Sequence, residues 1–317
     1  GIDLEINHDT KATEYFIREK FKILNLKKLS PFIHFGLTSA DIDNNVESII
    51  LKEFLNDIYF PQLQKVIDDL KSLSLKTKTS VMIARTHGQM AIPTTIGKEM
   101  ANFIIRLQSL QKDLNGIQIE GKLTGAVGNF NALQFVNPDI DWIDFSTKFI
   151  TKLGLKPNLI TTQILPYDNY LKLFSNIKLI NLVLIALSQD IWRYISDDYF
   201  QIKIKGGEVG SSTMPQKVNP IDFEMAESYL MMANSVFNTF ENKLISSRLQ
   251  RDLVDKYMIR EAGLAFGSIT LAYESITTGL NKLSFNEKFA QEELLSHWEV
   301  VSEGIQTMLR MSGDDEA

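Results

Sequence analysis

The sequence predicts an all-α bundle of long helices. Three observations carry that expectation. The eight prolines leave long uninterrupted stretches, and none occurs from Ile221 to Ala317. Proline costs about 3 kcal/mol inside a helix, so such stretches are where long helices can lie. Apolar residues recur at helical spacing over several of these stretches. Strand-like alternation is scarce, with short β pieces expected only near Lys122–Thr124 and Ile202–Ile204.

In chain order, the pattern predicts helices over Asp41–Leu73, Thr94–Ile119, Tyr167–Ile204 and Ile221–Ile245. Thr38 or Ser39 suits the N-cap of the first. The third is apolar over much of its circumference through Leu171, Phe174, Ile177, Ile180, Leu184, Leu187 and Ile191, which predicts burial among other helices. The fourth carries one stripe: Phe223, Ala226, Leu230, Ala233, Phe237, Phe240 and Leu244. Helices of about 25–35 residues would be ~40–50 Å long.

At 317 residues, length alone suggests about two domains. No Pro/Gly/Ser-rich linker or internal repeat supports a split of that kind. The composition, 44% hydrophobic and 23% charged, is that of a globular chain able to bury a core without disulfides or metal. Cysteine is absent, which excludes a disulfide framework, thiolate metal sites and a cysteine nucleophile. The four histidines, His8, His34, His87 and His297, are too scattered to suggest a metal cluster. The net charge of −6 is interspersed, with no basic block for nucleic acid. The longest apolar run, Leu182–Leu187, is far shorter than the ~20 residues of a membrane span. The expectation is a soluble, cytoplasmic protein with no nucleic-acid or membrane partner. The chain opens on Gly1 with an amphipathic pattern already running, so it is expected to be a piece of a longer one.

Glycines cluster in two segments, Lys122–Asn131 and Lys205–Pro220. The second offers backbone N–H groups, the hydroxyls of Ser211, Ser212 and Thr213, the cation of Lys217 and the amide of Asn219, just before a long helix started by Pro220. Donors gathered at a helix N-terminus suit an anion, or a negative charge that develops in a reaction. A Gly/Ser-rich loop alone is more often a solvated turn. The full string Gly-Ser-Ser-x-Met-Pro-x-Lys-x-Asn-Pro is far more specific. It resembles the signature loop of the fumarase/aspartase superfamily, all-α homotetramers that eliminate fumarate. The loop does not choose a member. Gln216 is common in argininosuccinate lyases.

The segment Ala84–Asn102 contains Arg85-Thr86-His87-Gly88-Gln89 and runs into Pro93. Alone, His87 reads either as a structural helix cap or as an acid–base group at a pocket edge before a proline-started helix. The whole string resembles the bacterial-type adenylosuccinate lyase family. That resemblance, running from Ile6 to Arg310, implies that His87 is the general acid and Ser211 the general base, with Lys217 and Asn219 stabilising charge. It further implies substrate contacts from Asn7, His8, Asp9, Thr38, Ser39, Gln163, Ser212, Arg251 and Arg260. The arginines match a phosphate-binding segment, a role their forked guanidinium suits.

The implied reaction is β-elimination of fumarate from adenylosuccinate, giving AMP, and from the succinyl-aminoimidazole-carboxamide ribotide of purine synthesis. No cofactor or metal is implied, and each site would be shared between subunits of a homotetramer. Residues 1–28 would be the tail of a first domain, 29–280 the central helical domain and 281–317 the start of a third. The segment preceding Asn7 in the family supplies an Arg-Tyr pair to the phosphate pocket. The sequence departs from the family pattern at Ala40, Met225 and Lys256-Tyr257. Met225 puts one substrate contact in doubt, whereas Lys256 supplies a cation where a hydroxyl is lost. An argininosuccinate lyase and a catalytically silent helical homologue are the alternatives.

Overall fold

The computed structural model describes residues 9–203, 214 and 217–314, with side chains from Lys11 onward. Its helices, in chain order, are α1 (Asp9–Ile23), α2 (Ala40–Phe54), α3 (Phe60–Lys76), α4 (Ile96–Asn115), α5 (Asn131–Val136), α6 (Trp142–Lys152), α7 (Asp168–Ser196), α8 (Ile221–Lys243), α9 (Val254–Ile259), α10 (Ala262–Lys282), α11 (Glu287–Ser296) and α12 (Ser302–Met311). Among the described residues the strands are short and paired in twos: β1 (Val81–Thr86) with β2 (Gln89–Thr95), β3 (Glu120–Gly121) with β4 (Lys156–Pro157), and β5 (Phe200–Ile202) with β6 (Leu283–Phe285). The all-α expectation holds.

The single helix expected over Asp41–Leu73 is two helices joined by a π-helical turn, Leu55–Tyr59. The reason is Pro61, which has no N–H and crowds the carbonyl four residues back. A wider turn just upstream accommodates both effects. The expected side-chain N-cap is not made: Ser39 occupies that position in αR geometry and its hydroxyl bonds nothing there. The next helix starts at Ile96 rather than Thr94, with the Thr95 hydroxyl accepting from Lys98 N at 3.2 Å. The expected Tyr167–Ile204 helix ends at Ser196. Asp198 then adopts φ +64°, and the chain re-extends as β5.

The chain divides into two compact units. The first comprises Gly1–Leu55, Ile117–Lys172 and Glu241–Met258. Its small apolar core, Leu123, Ile150 and Leu155, is flanked by Leu37, Ile49, Ile119 and Leu153. The inward face of α2 is polar: Asp41, Asn44, Asn45 and Ser48 are all buried. Asn45 pairs with both backbone groups of Lys122, donating to its carbonyl at 2.7 Å and accepting from its N–H at 3.0 Å. Ser48 donates to Glu120 O at 2.7 Å. Side chains of α2 thus serve the backbone around β3, the accounting that buried peptide groups require. Gly121 permits the approach, because a Cβ there would collide with the Asn45 amide.

The second unit comprises Asn56–Gly116, Leu173–Phe240 and Ile259–Ala317. Its core is aromatic at the centre: Phe174 stacks on Phe237 with centroids 4.8 Å apart, and Phe266 meets Phe237 edge-on at 5.6 Å. Both predicted apolar stripes are buried at every named position. By length and composition α7 could cross a bilayer, yet 61% of its apolar window is buried within the protein. It is not apolar all round in exposure, since Leu179 and Leu182 face outward.

Candidate active site

In the first unit, the network around Asp41 is built at the start of α2. Asp41 Oδ2 accepts from Thr38 N at 2.9 Å, and Oδ1 accepts from Thr124 N at 3.0 Å and Gly125 N at 3.3 Å. Lys122 Nζ lies 2.7 Å from the same Oδ1, and both side chains are fully buried. Burial pushes the Lys122 ammonium below its ordinary pKa, and the Asp41 charge opposes that shift. Lys122 also donates to the carbonyl of Gln163 at 2.8 Å. This ion pair therefore ties the Thr38–Ser39 segment, the glycine loop and Gln163 together.

The Gln163 side chain is held at both ends. Its amide donates to Ala126 O at 3.1 Å, and its Oε1 accepts from Arg251 Nη1 at 3.4 Å. The Gln163 N–H also donates to Gln250 O at 3.3 Å. The structure thus brings Gln163 and Arg251 together and links them to Thr38 through buried residues. Arg251 Nε is buried without a hydrogen-bond partner among the described residues, leaving a donor in reserve beside Gln163. Gly128 sits at φ +80°, where a Cβ would strike the Thr161 carbonyl, so only glycine lets this loop close on the Gln163 segment.

Behind these groups lies an acidic set. Asn44 accepts from Leu165 N at 2.9 Å and donates to Glu47 Oε2 at 3.1 Å. Tyr167 donates its hydroxyl to Asp255 Oδ2 at 3.3 Å. Burial pushes the Glu47 carboxyl up from 4.5 to about 7; the charges of Asp43 and Asp255 push the same way, and Asn44 and Arg251 oppose them. Burial and the charges of Glu47 and Asp255 also drive the Tyr167 hydroxyl well up.

A carboxyl whose folded pKa is raised contributes stability that is fully present below pH 4.5 and is lost as pH climbs to about 7. A shift of this size is worth roughly 3 kcal/mol. Glu47→Gln is therefore expected to gain about 2–3 kcal/mol relative to the parent between pH 5 and pH 8. Urea midpoints at the two pH values measure it, and an unchanged difference would refute the assignment.

In the second unit, His87 lies at the tip of the β1–β2 hairpin, not before a helix. Thr86 pairs with Gln89, so His87 and Gly88 form a two-residue turn. Their φ angles are +52° and +76°, the left-handed pair that a type I′ hairpin turn demands. Pro93, expected to start a helix, is inside β2. His87 is exposed. Lys217 is exposed, and its N–H donates to Met214 O at 3.3 Å. Asn219 is half-buried beside Pro220, whose carbonyl accepts from Phe223 N at 3.0 Å as α8 begins. Arg260 is exposed immediately before α10.

Asn7, His8, Ser211 and Ser212 lie outside the described residues, as does the side chain of Asp9 at the start of α1. Ala40 is fully buried, Met225 is exposed and Lys256-Tyr257 lies in α9. Asp41 and Lys122 did not stand out as site residues in the sequence. The hints were a lysine at the head of the glycine cluster and an aspartate two residues after Ser39. Among the described residues no group of three or more His, Asp or Glu side chains is placed to hold a metal.

The fold matches solved structures that include a fumarate lyase from Mesorhizobium sp. BNC1 (TM-score 0.77, 17% identity, 94% of this chain and 70% of that one). Another is the 3-carboxy-cis,cis-muconate lactonizing enzyme from Pseudomonas putida (TM-score 0.79, 18% identity, 97% of this chain and 67% of that one). A family model described as Lyase matches residues 2–237. Together these define the class, a lyase of the fumarase/aspartase superfamily.

A second family model, described as Adenylosuccinate lyase C-terminal, matches residues 247–317. Adenylosuccinate lyases from Haemophilus influenzae and Escherichia coli are 44% and 43% identical over 313 residues, 98% of this chain and 69% of each relative. The one from Dictyostelium discoideum is 46% identical over 318 residues, 98% of this chain and 68% of that protein. The chain thus spans about two thirds of their length, and it belongs to the adenylosuccinate lyase family. The chemistry of that family is fumarate-releasing cleavage of a carbon–nitrogen bond.

Proposed function

We propose that this chain cleaves adenylosuccinate to AMP and fumarate, and the succinyl-aminoimidazole-carboxamide ribotide to its amide and fumarate. One observation carries the reading within the structure. Three segments distant in sequence, at Thr38, Gln163 and Arg251, are joined by one network whose buried centre is the Asp41–Lys122 pair. That is the rigid support a multi-point substrate contact needs.

In this reading the Ser211 alkoxide removes the proton α to a carboxylate, and the electron pair is held on that carboxylate as a dianionic aci form. Lys217 and Asn219 stabilise the added charge, an electrostatic contribution of the kind often worth several kcal/mol. The pair then forms the carbon–carbon double bond as the carbon–nitrogen bond breaks, and His87 gives its proton to the departing nitrogen. A serine hydroxyl is a weak base unless its surroundings favour the oxyanion, the task of nearby amides and Lys217. Thr38, Ser39 and Ser212 hold a succinyl carboxylate, Asn7, His8, Asp9 and Gln163 contact the substrate, and Arg251 and Arg260 meet the phosphate.

The working form is a cytoplasmic homotetramer with shared sites. Exposed apolar side chains on long helices, Leu182 of α7, Met231 and Met232 of α8 and Leu271 of α10, support further burial by association. The domain division at about residues 28 and 280 belongs to the same reading.

The deciding experiment measures fumarate release by the full-length protein from adenylosuccinate and, side by side, from argininosuccinate. Turnover of adenylosuccinate alone is expected. Turnover of argininosuccinate instead moves the assignment within the superfamily, and no turnover of either favours a silent helical homologue.

A further inference from the structure

The hairpin that presents His87 is a two-stranded ribbon, and such ribbons are marginal unless something seats them. Its tip is exposed, so its placement depends on its base. The base is held by residues far along the chain. Arg85, two residues before His87, donates from Nη2 to Glu293 Oε1 at 2.9 Å and from Nη1 to the Tyr199 hydroxyl at 3.2 Å. The Tyr199 hydroxyl in turn donates to Glu293 Oε2. Asp197 adds a second carboxylate, 3.8 Å from Arg85 Nε. The guanidinium also lies 5.6 Å from the Tyr199 ring centroid.

Tyr199 and Asp197 follow α7, and the other supporting elements come from the C-terminal part. Helix α11, which carries Glu293, packs on β1, and residues Trp298–Val301 pack on β2. Tyr199 is fixed at its backbone, where its carbonyl accepts from Asn286 N at 2.8 Å, and at its ring, which meets Phe289 edge-on at 5.5 Å. The register of β1 shifts between Ile83 and Arg85, and the Tyr199 hydroxyl lies 3.3 Å from the Ile83 carbonyl at that irregularity. A bulge re-aims the strand beyond it. The polar cluster therefore grips the hairpin at the point that sets the direction of its tip. Glu293 is 8% exposed and Arg85 24%, so the pair is shielded from the screening that weakens surface ion pairs.

We infer that Arg85, Tyr199 and Glu293 form a positioning clamp for His87, through which the segment from Asn286 to Val301 serves proton delivery. The inference rests on the reading of His87 as general acid. A displacement of about 1 Å in a catalytic group can cost ~100-fold in rate. The polar groups of the clamp are engaged with one another, so its loss should leave binding in place.

The test uses the full-length enzyme with adenylosuccinate. Arg85→Ala is expected to lower kcat by about 10–100-fold with KM changed less than about threefold, and Arg85→Lys to recover part of the loss. In a His87→Ala background, Arg85→Ala should add almost nothing, because both changes remove one function. A general structural defect would instead multiply the two losses. If Arg85→Ala fails to fold, the near-isosteric Glu293→Gln takes its place in the same double-variant comparison. Unchanged kcat in a folded clamp variant, or multiplicative losses, would overturn the clamp. Full activity of His87→Ala alone would instead overturn the role of His87, so the two failures are distinguishable.

Discussion

His87→Ala and Ser211→Ala are each expected to lower kcat by at least ~100-fold, the usual scale for a positioned acid or base. Imidazole can hold a proton near neutral pH, and the departing nitrogen needs one as the carbon–nitrogen bond breaks. His87 stands at a two-residue turn with positive φ at both positions, an exposed point from which it can reach a substrate. Ser211 lies in the Gly-Ser-Ser string between Gly210 and Lys217. In the proposed mechanism its replacement removes the base, whereas His87→Ala removes the acid. Steady-state rates on the purified variants measure both, and near-normal turnover by either would remove that residue from the mechanism. The KM values should move far less than kcat, because both groups act on atoms that change in the transition state.

The second large effect is on the Asp41–Lys122 pair. Asp41→Asn or Lys122→Met alone is expected to destabilise the protein by about 3–5 kcal/mol, because each leaves an uncompensated charge in the interior. Changing both together should cost clearly less than the sum, since no buried charge then remains. Asp41 also accepts from three backbone N–H groups, so the double variant will not be neutral. Denaturant titration of the two single variants and the double variant yields the coupling directly. Additive losses would show that the two charges do not sustain one another. A folded Lys122→Met variant should also bind substrate more weakly, because Lys122 Nζ holds the carbonyl of Gln163, a proposed substrate contact.

Helix legibility depended on what was being buried. In α8 the stripe from Phe223 to Phe240 is apolar and recurs at helical spacing, and every member is buried. The pattern predicts a helix at α2, but its buried face carries Asp41, Asn44, Asn45 and Ser48 beside Ala40 and Leu51, so apolar periodicity does not show which face turns inward. The polar side chains are buried because they satisfy backbone groups at Lys122, Thr124, Gly125, Glu120 and Leu165. The β1–β2 hairpin was legible in principle, since His87-Gly88 is a turn pair between apolar-rich strands. Pro93 drew attention to a helix start instead. An edge position in a two-stranded ribbon tolerates proline, because one side of each strand makes no ladder bonds.

The Arg251–Gln163 contact and the seating of Arg85 on Glu293 join positions 88 and 208 residues apart. No local pattern encodes such pairs. The sequence by itself determined the helical class, the two long buried stripes and the strings that hold His87, Ser211, Lys217 and Asn219. Local periodicity and residue type suffice for those. Only the tertiary structure decided that Asp41 and Lys122 are the buried centre of the Gln163 network, and that His87 rides on a hairpin held from the C-terminal part. Buried polar groups must find partners, and here the partners come from segments far apart along the chain.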